Sequence, residues 1–221
     1  FGRDLAQPNS VGLFYFAGHG IQSKNRNFLI PIDAEIDGEA SVEFEGVNAS
    51  RVLATMDIAR NNLNIVILDA CRDNPFSGEF RSTTRGLARI SAPKGSVILY
   101  AASPGERAGD GQGGNGIFTK NLLIQLKKSG LTVDQIFNKT AVSVYAETGQ
   151  EQLPYREGSI IGEFFFKERN QKVSSVGPFP SLVDNTDDKI ERTLWVEVQA
   201  TNTIDTYKIS TNHSLICFFF F

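Results

Sequence analysis

The sequence predicts an α/β fold in which helices cover both faces of a mostly parallel β-sheet. Three apolar runs are interpreted as strands, at residues 11–17 (VGLFYFA), 64–70 (NIVILDA) and 95–103 (GSVILYAAS). Continuous runs of this kind are typical of strands that are buried on both faces, as parallel strands are. Amphipathic stretches with a helical period lie between and after these runs, and this alternation indicates parallel strands joined by helical crossovers.

Further elements follow from capping and turn signals. Asn48 or Ser50 is predicted to cap a helix that runs to about residue 62, with its apolar positions along one face. A helix is expected at residues 118–128, and Thr132 is expected to cap the next one. The segments 28–32 (FLIPI) and 159–166 (SIIGEFFF) are predicted to be a short extended piece and a last strand.

The bulk composition limits the classes of protein and partner. The chain has 221 residues, of which 41% are hydrophobic, and a formal net charge of −3, as in a globular domain with an ordinary core. This charge balance gives no electrostatic reason to expect nucleic acid or an anionic membrane as a partner. Apolar stretches of about 18 residues are absent, so we expect no membrane span. Because the chain begins with Phe1, the sequence does not fix whether the protein is cytoplasmic or exported.

The predicted domain comprises residues 1–167. Residues 168–189 are polar, contain a Gly-Pro pair and are interpreted as a linker. Residues 190–221 remain unassigned, and we interpret the four phenylalanines at their end as a truncated or frame-shifted terminus.

Cysteine and histidine are scarce in this chain. Two cysteines in 221 residues do not form a disulfide framework, and two histidines give little support for a Cys/His zinc site. We therefore expect no metal site of this kind. If Cys71 has a function, we expect it to act as a thiol.

His19 and Cys71 occupy equivalent places in the predicted sheet. Each comes at the end of a predicted strand, and ligands of such sheets bind beyond the carboxyl ends of the strands. If the two strands are parallel neighbours, the two side chains meet at one edge. The alternatives are that Cys71 is a small buried hydrophobe and that His19 lies on the surface by chance.

The two side chains together have the chemistry of a nucleophile and its base. A thiol attacks only as thiolate, and a histidine can withdraw its proton and later protonate the leaving amine. Acyl transfer also needs donors for the developing oxyanion, for which the backbone N–H groups of Gly20 and Cys71 are candidates. The glycines around His19 let the backbone approach a substrate carbonyl closely.

The motifs "FYFAGHG" and "ILDACRDNPF" resemble those of the caspase–metacaspase superfamily of cysteine peptidases, in its bacterial metacaspase-like branch. The resemblance covers about residues 5–166, including "NFLIPIDA", "GIFTKNLL" and "GEFFF". It implies a caspase-like three-layer α/β/α sandwich whose first strands would precede residue 1. It also implies that His19 is the catalytic histidine and Cys71 the nucleophile, without a third member.

The resulting functional prediction is a cysteine endopeptidase that hydrolyses peptide bonds through an acyl-enzyme. Its expected partners are polypeptide substrates, and the sequence does not fix the oligomeric state. One alternative is a caspase-like domain with low activity that serves as a binding or regulatory module. Another is a different cysteine-dependent hydrolase on a similar sheet.

Asp69 and Ala17 are the predicted substrate-binding residues. In the superfamily that the chain resembles, the residue two before the nucleophile lines the pocket for the side chain that precedes the scissile bond. An aspartate there attracts arginine or lysine, and bidentate pairing favours arginine. The alternative for Asp69 is a turn or capping carboxylate. Ala17 stands where many metacaspases carry serine.

Two loops carry further predictions. Arg81, Arg85 and Arg89 lie in a polar segment that is either a solvated basic loop or, as the resemblance permits, a site of self-processing. The glycine-rich residues 104–116 lack the Lys-Ser/Thr of a phosphate loop. Glu106 and Asp110 lack the ligand spacing of an EF-hand, so we expect no cofactor and leave calcium activation open.

Overall fold

A computed structural model describes residues 5–6, 10–71, 87–104 and 106–168, together with two strands at 206–210 and 214–220. The strands are β1 (Val11–Ser23), β2 (Arg26–Leu29), β3 (Val47–Asn48), β4 (Leu63–Cys71), β5 (Ser96–Tyr100), β6 (Tyr155–Gly158), β7 (Thr206–Ser210) and β8 (Ser214–Phe220). The helices are α1 (Glu39–Glu45), α2 (Ala49–Ile58), α3 (Ile117–Leu126) and α4 (Val133–Glu147).

The strands form one mixed sheet with a parallel centre. Its order is β3-β2-β1-β4-β5-β6, and β8 pairs with both β1 and β7. The pairs β1–β4, β4–β5 and β1–β8 are parallel. The pairs β1–β2, β2–β3, β5–β6 and β7–β8 are antiparallel. The predicted α/β class is confirmed, with parallel pairing concentrated at the centre.

Helices cover both faces of this centre. Odd-numbered apolar residues of β4, such as Ile65 and Ile67, pack in one core with Phe118 and other residues of α3 and α4. Even-numbered residues, such as Val66 and Leu68, belong to a second core with residues of α2. Because side chains alternate between the faces of a strand, an uninterrupted apolar run fills both cores. The result is a three-layer α/β/α arrangement.

Strand β1 is longer than its apolar run. It continues from Val11 to Ser23, so His19 lies within a strand rather than in a glycine turn after it. Lys24 and Asn25, both with positive φ (47° and 62°), make the two-residue turn into β2. The predicted end at residue 17 was wrong because the apolar pattern stops at Gly18, whereas the backbone ladder does not.

The predicted strand at residues 159–166 was also wrong. The strand in this region is β6, which is antiparallel to β5 and ends at Gly158. Gly158 and Gly162 have φ values of 88° and 86°, so the backbone leaves the extended conformation at both. Within 159–166, Phe165 makes an isolated bridge to Thr132, and Ile160, Phe164 and Phe166 pack as loop residues against the core of α3 and α4.

The predicted helix starts are confirmed by their caps. The side chain of Asn48 accepts a hydrogen bond from the Ser50 N–H at the start of α2. Thr132 and Gln135 form a reciprocal capping box at the start of α4. Helix α2 ends at Ile58, earlier than predicted, and is followed by Arg60 with a φ of 53°.

Part of the C-terminal region is described as backbone. Residues 206–210 and 214–220 form an antiparallel pair, and 215–220 lie in parallel register with 11–16 of β1. The sequence had left this region unassigned, and the predicted linker lies outside the described residues except for Glu168. No helix in the described part of the chain is both long and apolar enough to cross a membrane.

Candidate active site

The sheet places His19 and Cys71 side by side. They are register partners on the parallel strands β1 and β4, and Cys71 is the last residue of β4. Adjacent strands lie about 4.8 Å apart, so the backbones of the two residues are immediate neighbours. The predicted meeting of these residues at one sheet edge is therefore found at the level of the backbone, which is all that is described of Cys71. The His19 side chain is exposed.

The backbone of His19 is fixed by the β1–β2 hairpin. Its carbonyl oxygen accepts a hydrogen bond of 2.9 Å from the Ile30 N–H, just beyond β2. The strand therefore presents an exposed imidazole from a backbone that is paired on both sides, with β4 and with the β2 hairpin.

The glycines on either side of His19 are required by close packing. A Cβ on Gly20 would lie 2.9 Å from Leu87 Cδ2 and 3.1 Å from Ala70 Cβ. Gly18 has a φ of 156°, and a Cβ there would lie 3.1 Å from the ring of Phe16. Larger residues would displace either β1 or its neighbours beside the site.

The segment 87–90 lies against this end of the sheet. Leu87 is buried in the α2 core, next to Gly20 and Ala70. Asn27 of β2 binds both backbone groups of Ala88, donating to its carbonyl and accepting from its N–H at 2.6 Å each. Sequence reasoning missed this clamp, although an asparagine within the strand sequence "RNFL" is a signal that a polar partner is needed.

The next two residues attach the same segment to β5 and β6. The guanidinium of Arg89 binds both carboxylate oxygens of Glu157, at 2.6 and 3.0 Å. The Ile90 N–H donates to the Tyr100 hydroxyl at 3.3 Å. Arg89, a predicted self-processing candidate, is thus engaged in an ion pair, whereas Arg81 and Arg85 lie outside the described residues.

Asp69 is buried and caps helix α3. Its Oδ2 accepts hydrogen bonds from the Thr119 N–H at 3.2 Å and the Thr119 hydroxyl at 2.5 Å. The N-cap residue of α3, Gly116, has no side chain with which to accept from the first turn. The carboxylate therefore satisfies an otherwise unpaired N–H at the positive end of the helix. This is the capping contact that the sequence left as one alternative for Asp69.

A third side chain completes the network. The hydroxyl groups of Tyr15 and Thr119 are 2.6 Å apart, and both residues are buried. Because Thr119 donates its only hydroxyl proton to Asp69, Tyr15 donates to Thr119. Burial, and then the charge of Asp69, raise the pKa of the Tyr15 phenol above its ordinary value. Tyr15 therefore remains protonated.

The carboxyl group of Asp69 has a raised pKa. Burial is the main cause, the negative charge of Asp110 adds to it, and the two hydrogen bonds from Thr119 oppose it. Among the described residues, Asp110 is the other charged group that shifts this pKa, and it has the same sign. A desolvated carboxylate near a second acid is well suited to receive a cation.

Hydrogen bonds hold the glycine-rich loop, residues 104–116, in place near Asp69. Gln152 donates to the Ala101 carbonyl at 2.7 Å and accepts from the Gly109 N–H at 2.8 Å. The Ile117 N–H donates to the Gly109 carbonyl at 3.2 Å. A Cβ on Gly116 would lie 3.0 Å from Asp69 Oδ2, so a glycine is needed where the loop meets the carboxylate.

The remaining predicted residues are placed as follows. Ala17, half-buried, is the register partner of Asp69. Gly20 is buried directly after His19. Glu106 and Asp110 are exposed, and no three His, Cys, Asp or Glu side chains of the described residues group as a metal site.

A cysteine and a histidine in register on adjacent parallel strands of an α/β sandwich are the arrangement expected of a cysteine hydrolase. Residues 3–165 match the family model described as the caspase domain, so this chain belongs to the caspase-domain family of cysteine peptidases.

Two curated proteins are also similar to the chain. It is 28% identical over 138 residues to the human mucosa-associated lymphoid tissue lymphoma translocation protein 1. The mouse homolog of that protein matches with the same identity and length. Each match covers 60% of this chain and 16% of the relative, so the chain spans about a sixth of the length of these relatives.

Proposed function

We propose that this protein is a cysteine endopeptidase that cleaves after arginine or lysine, with Cys71 as nucleophile and His19 as its base. The observation that carries the proposal is the register pairing of His19 with Cys71 on neighbouring parallel strands of a caspase domain. The exposed imidazole lies at the sheet edge where β4 ends.

The proposed reaction follows from these two groups. His19 withdraws the proton of the Cys71 thiol, and the sulfur attacks the scissile carbonyl carbon. The backbone N–H groups of Gly20 and Cys71 are the candidate donors to the oxyanion. The C–N bond then breaks, the imidazolium protonates the leaving amine, and a thioester remains on Cys71. Water, deprotonated by His19, hydrolyses the thioester and restores the thiol.

Asp69 supports the preference for a basic residue before the scissile bond. It lies two residues before Cys71 on β4, and burial together with Asp110 makes its negative charge costly. A substrate cation would offset that cost, whereas an aspartate in the same position would increase it. Capping α3 and receiving a cation are compatible, because the helix bonds use Oδ2 alone.

Fluorogenic peptides that differ only in Arg, Lys or Asp before the scissile bond test the proposal. We expect cleavage of the Arg and Lys peptides, no cleavage of the Asp peptide, and loss of all cleavage in Cys71→Ala. Preference for Asp would contradict the role of Asp69. If no peptide were cleaved and an arginyl chloromethyl ketone failed to label Cys71, the peptidase proposal would give way to the low-activity module.

A further inference from the structure

The two oxygens of the Asp69 carboxylate are not equivalent. Oδ2 accepts both hydrogen bonds from Thr119, from the hydroxyl and from the backbone N–H. A carboxylate oxygen has about two lone-pair sites, so these bonds occupy Oδ2. The described residues donate no hydrogen bond to Oδ1.

The number of available oxygens matters for the choice between the two basic side chains. Arginine gains over lysine at a carboxylate through two parallel N–H···O bonds, one to each oxygen. Lysine has a compact ammonium group and makes its contact with a single oxygen. A carboxylate with one oxygen occupied therefore loses the contact that favours arginine.

We propose that Thr119 is a specificity-determining positioning residue: by occupying Asp69 Oδ2 it leaves one oxygen to the substrate, so that lysine is accepted nearly as well as arginine. The inference rests on the proposed function and deepens it. It differs from the sequence-based expectation of bidentate pairing because that pairing requires both oxygens of Asp69.

The surroundings of Thr119 hold this arrangement in place. Tyr15 donates to the Thr119 hydroxyl, which directs the single Thr119 proton towards Asp69. Thr119 is 6% exposed, so its hydroxyl is shielded from water that could compete for the bond to Oδ2. The Thr119 backbone is fixed in the first turn of α3, where Gly116 leaves room for the carboxylate.

The test is the ratio of kcat/KM for two peptides that differ only in Arg or Lys before the scissile bond, measured at about pH 8, well above the ordinary pKa of a carboxyl group. In the wild-type protein we expect this ratio to be within about fivefold of unity. A fivefold ratio corresponds to a smaller free-energy difference than a single hydrogen bond to a charged group contributes. Thr119→Val removes the hydroxyl and frees a lone pair of Oδ2. We expect the ratio to rise roughly tenfold towards arginine, and Thr119→Ser to restore it.

Thr140→Val is the matched control. Thr140 is also buried, and its hydroxyl donates to the Ile136 carbonyl within its own helix, α4. The same substitution there changes packing and stability without touching Asp69, so we expect the wild-type ratio. If Thr119→Val does not fold, Thr119→Ala removes the same hydroxyl and carries the same expectation.

The outcomes separate this inference from the proposed function. A wild-type protein that cleaves neither peptide overturns the proposed function and, with it, the inference. A wild-type protein that cleaves both while the hydroxyl-free variants keep its ratio overturns the inference alone. A wild-type ratio above about a hundredfold in favour of arginine also overturns the inference, because a preference of that size is expected when arginine binds both oxygens of Asp69.

Discussion

Close packing explains the sequence around His19 residue by residue. Gly20 does not begin a turn. It lies within β1, which continues to Ser23, and it is buried against Leu87 and Ala70. His19 is therefore placed by a continuous strand, and Leu87 and Ala70 lie too close to Gly20 for a side chain to fit there.

We expect Gly20→Ala to lower the free energy of unfolding by about 1–3 kcal/mol, because its Cβ would overpack against Leu87 and Ala70. Gly114→Ala is the control, since a Cβ there meets nothing within 4 Å, and it should change stability by less than about 0.5 kcal/mol. Denaturant unfolding measures both. Equal effects of the two substitutions would contradict the packing.

Asp69 is expected to reduce stability at neutral pH, because its pKa is raised above the ordinary value of an aspartate. The folded state then holds the proton more tightly than the unfolded state, so stability falls as pH rises through the window between the two pKa values. Asn at position 69 keeps an oxygen for Thr119 without the charge. We expect Asp69→Asn to stabilise the protein by about 1 kcal/mol at pH 7, a gain that disappears at low pH, and to abolish cleavage after basic residues.

Thermal unfolding across pH checks the first part of this expectation and peptide cleavage checks the second. An Asp69→Asn protein that is less stable than the wild type at pH 7 would show that the charge itself is stabilising. Undiminished cleavage after arginine would remove Asp69 from the substrate pocket.

The raised pKa of Asp69 also predicts how substrate binding depends on pH. A protonated Asp69 has no charge to offer a basic side chain, so KM for the arginine peptide should rise as pH falls through that pKa. A peptide with a neutral residue at this position is the control. If both peptides show the same KM profile, the pH dependence does not come from Asp69.

At the scale of elements, the segment 87–90 joins strands that are separated in the sheet. It contacts β2 through Asn27, β5 through Tyr100 and β6 through Glu157. Leu87 adds the contact beside Gly20, one residue from His19. We infer that this segment supports the sheet edge at which the candidate catalytic residues lie.

We expect Asn27→Ala to destabilise the protein by about 1–3 kcal/mol, because the Ala88 N–H and carbonyl lose their partners. Arg89→Gln breaks an exposed ion pair and should have a smaller effect that shrinks further at high salt. Urea unfolding at two salt concentrations measures both variants. A larger loss for Arg89→Gln would show that the ion pair, not the buried clamp, holds the segment.

The sequence predicted the elements whose signals are local. The apolar cores of β4 and β5 and the caps Asn48 and Thr132 were found because burial and capping leave their marks on neighbouring residues. The extension of β1 and the loop at 159–166 were not predicted from the sequence, since each depends on backbone pairing across the sheet. His19 and Cys71 were expected to meet only if their strands were parallel neighbours, a condition that the pairing of β1 with β4 meets. The hydrogen bonds of Thr119 with Asp69 and with Tyr15 depend on tertiary contacts between distant segments and left no local pattern.

For the whole molecule, the parallel centre of the sheet is what brings the site together. Because β1 and β4 run in the same direction, residues far apart in the chain become register partners at one edge. Helix α3 packs on the same side as the odd-numbered residues of β4 and supplies Thr119 to Asp69. Cys71, His19 and the candidate pocket residue Asp69 thus depend on one sheet and one helix.

The most direct measurement of the central claim is the rate at which a neutral haloacetamide alkylates Cys71 as a function of pH, in the wild-type protein and in His19→Ala. An unassisted cysteine ionises near pH 8.5, so its alkylation is slow at about pH 6. If His19 activates Cys71, the wild-type protein should react at about pH 6 at least roughly tenfold faster than His19→Ala, and the two rates should converge above about pH 9. Identical pH profiles for the two proteins would contradict the account.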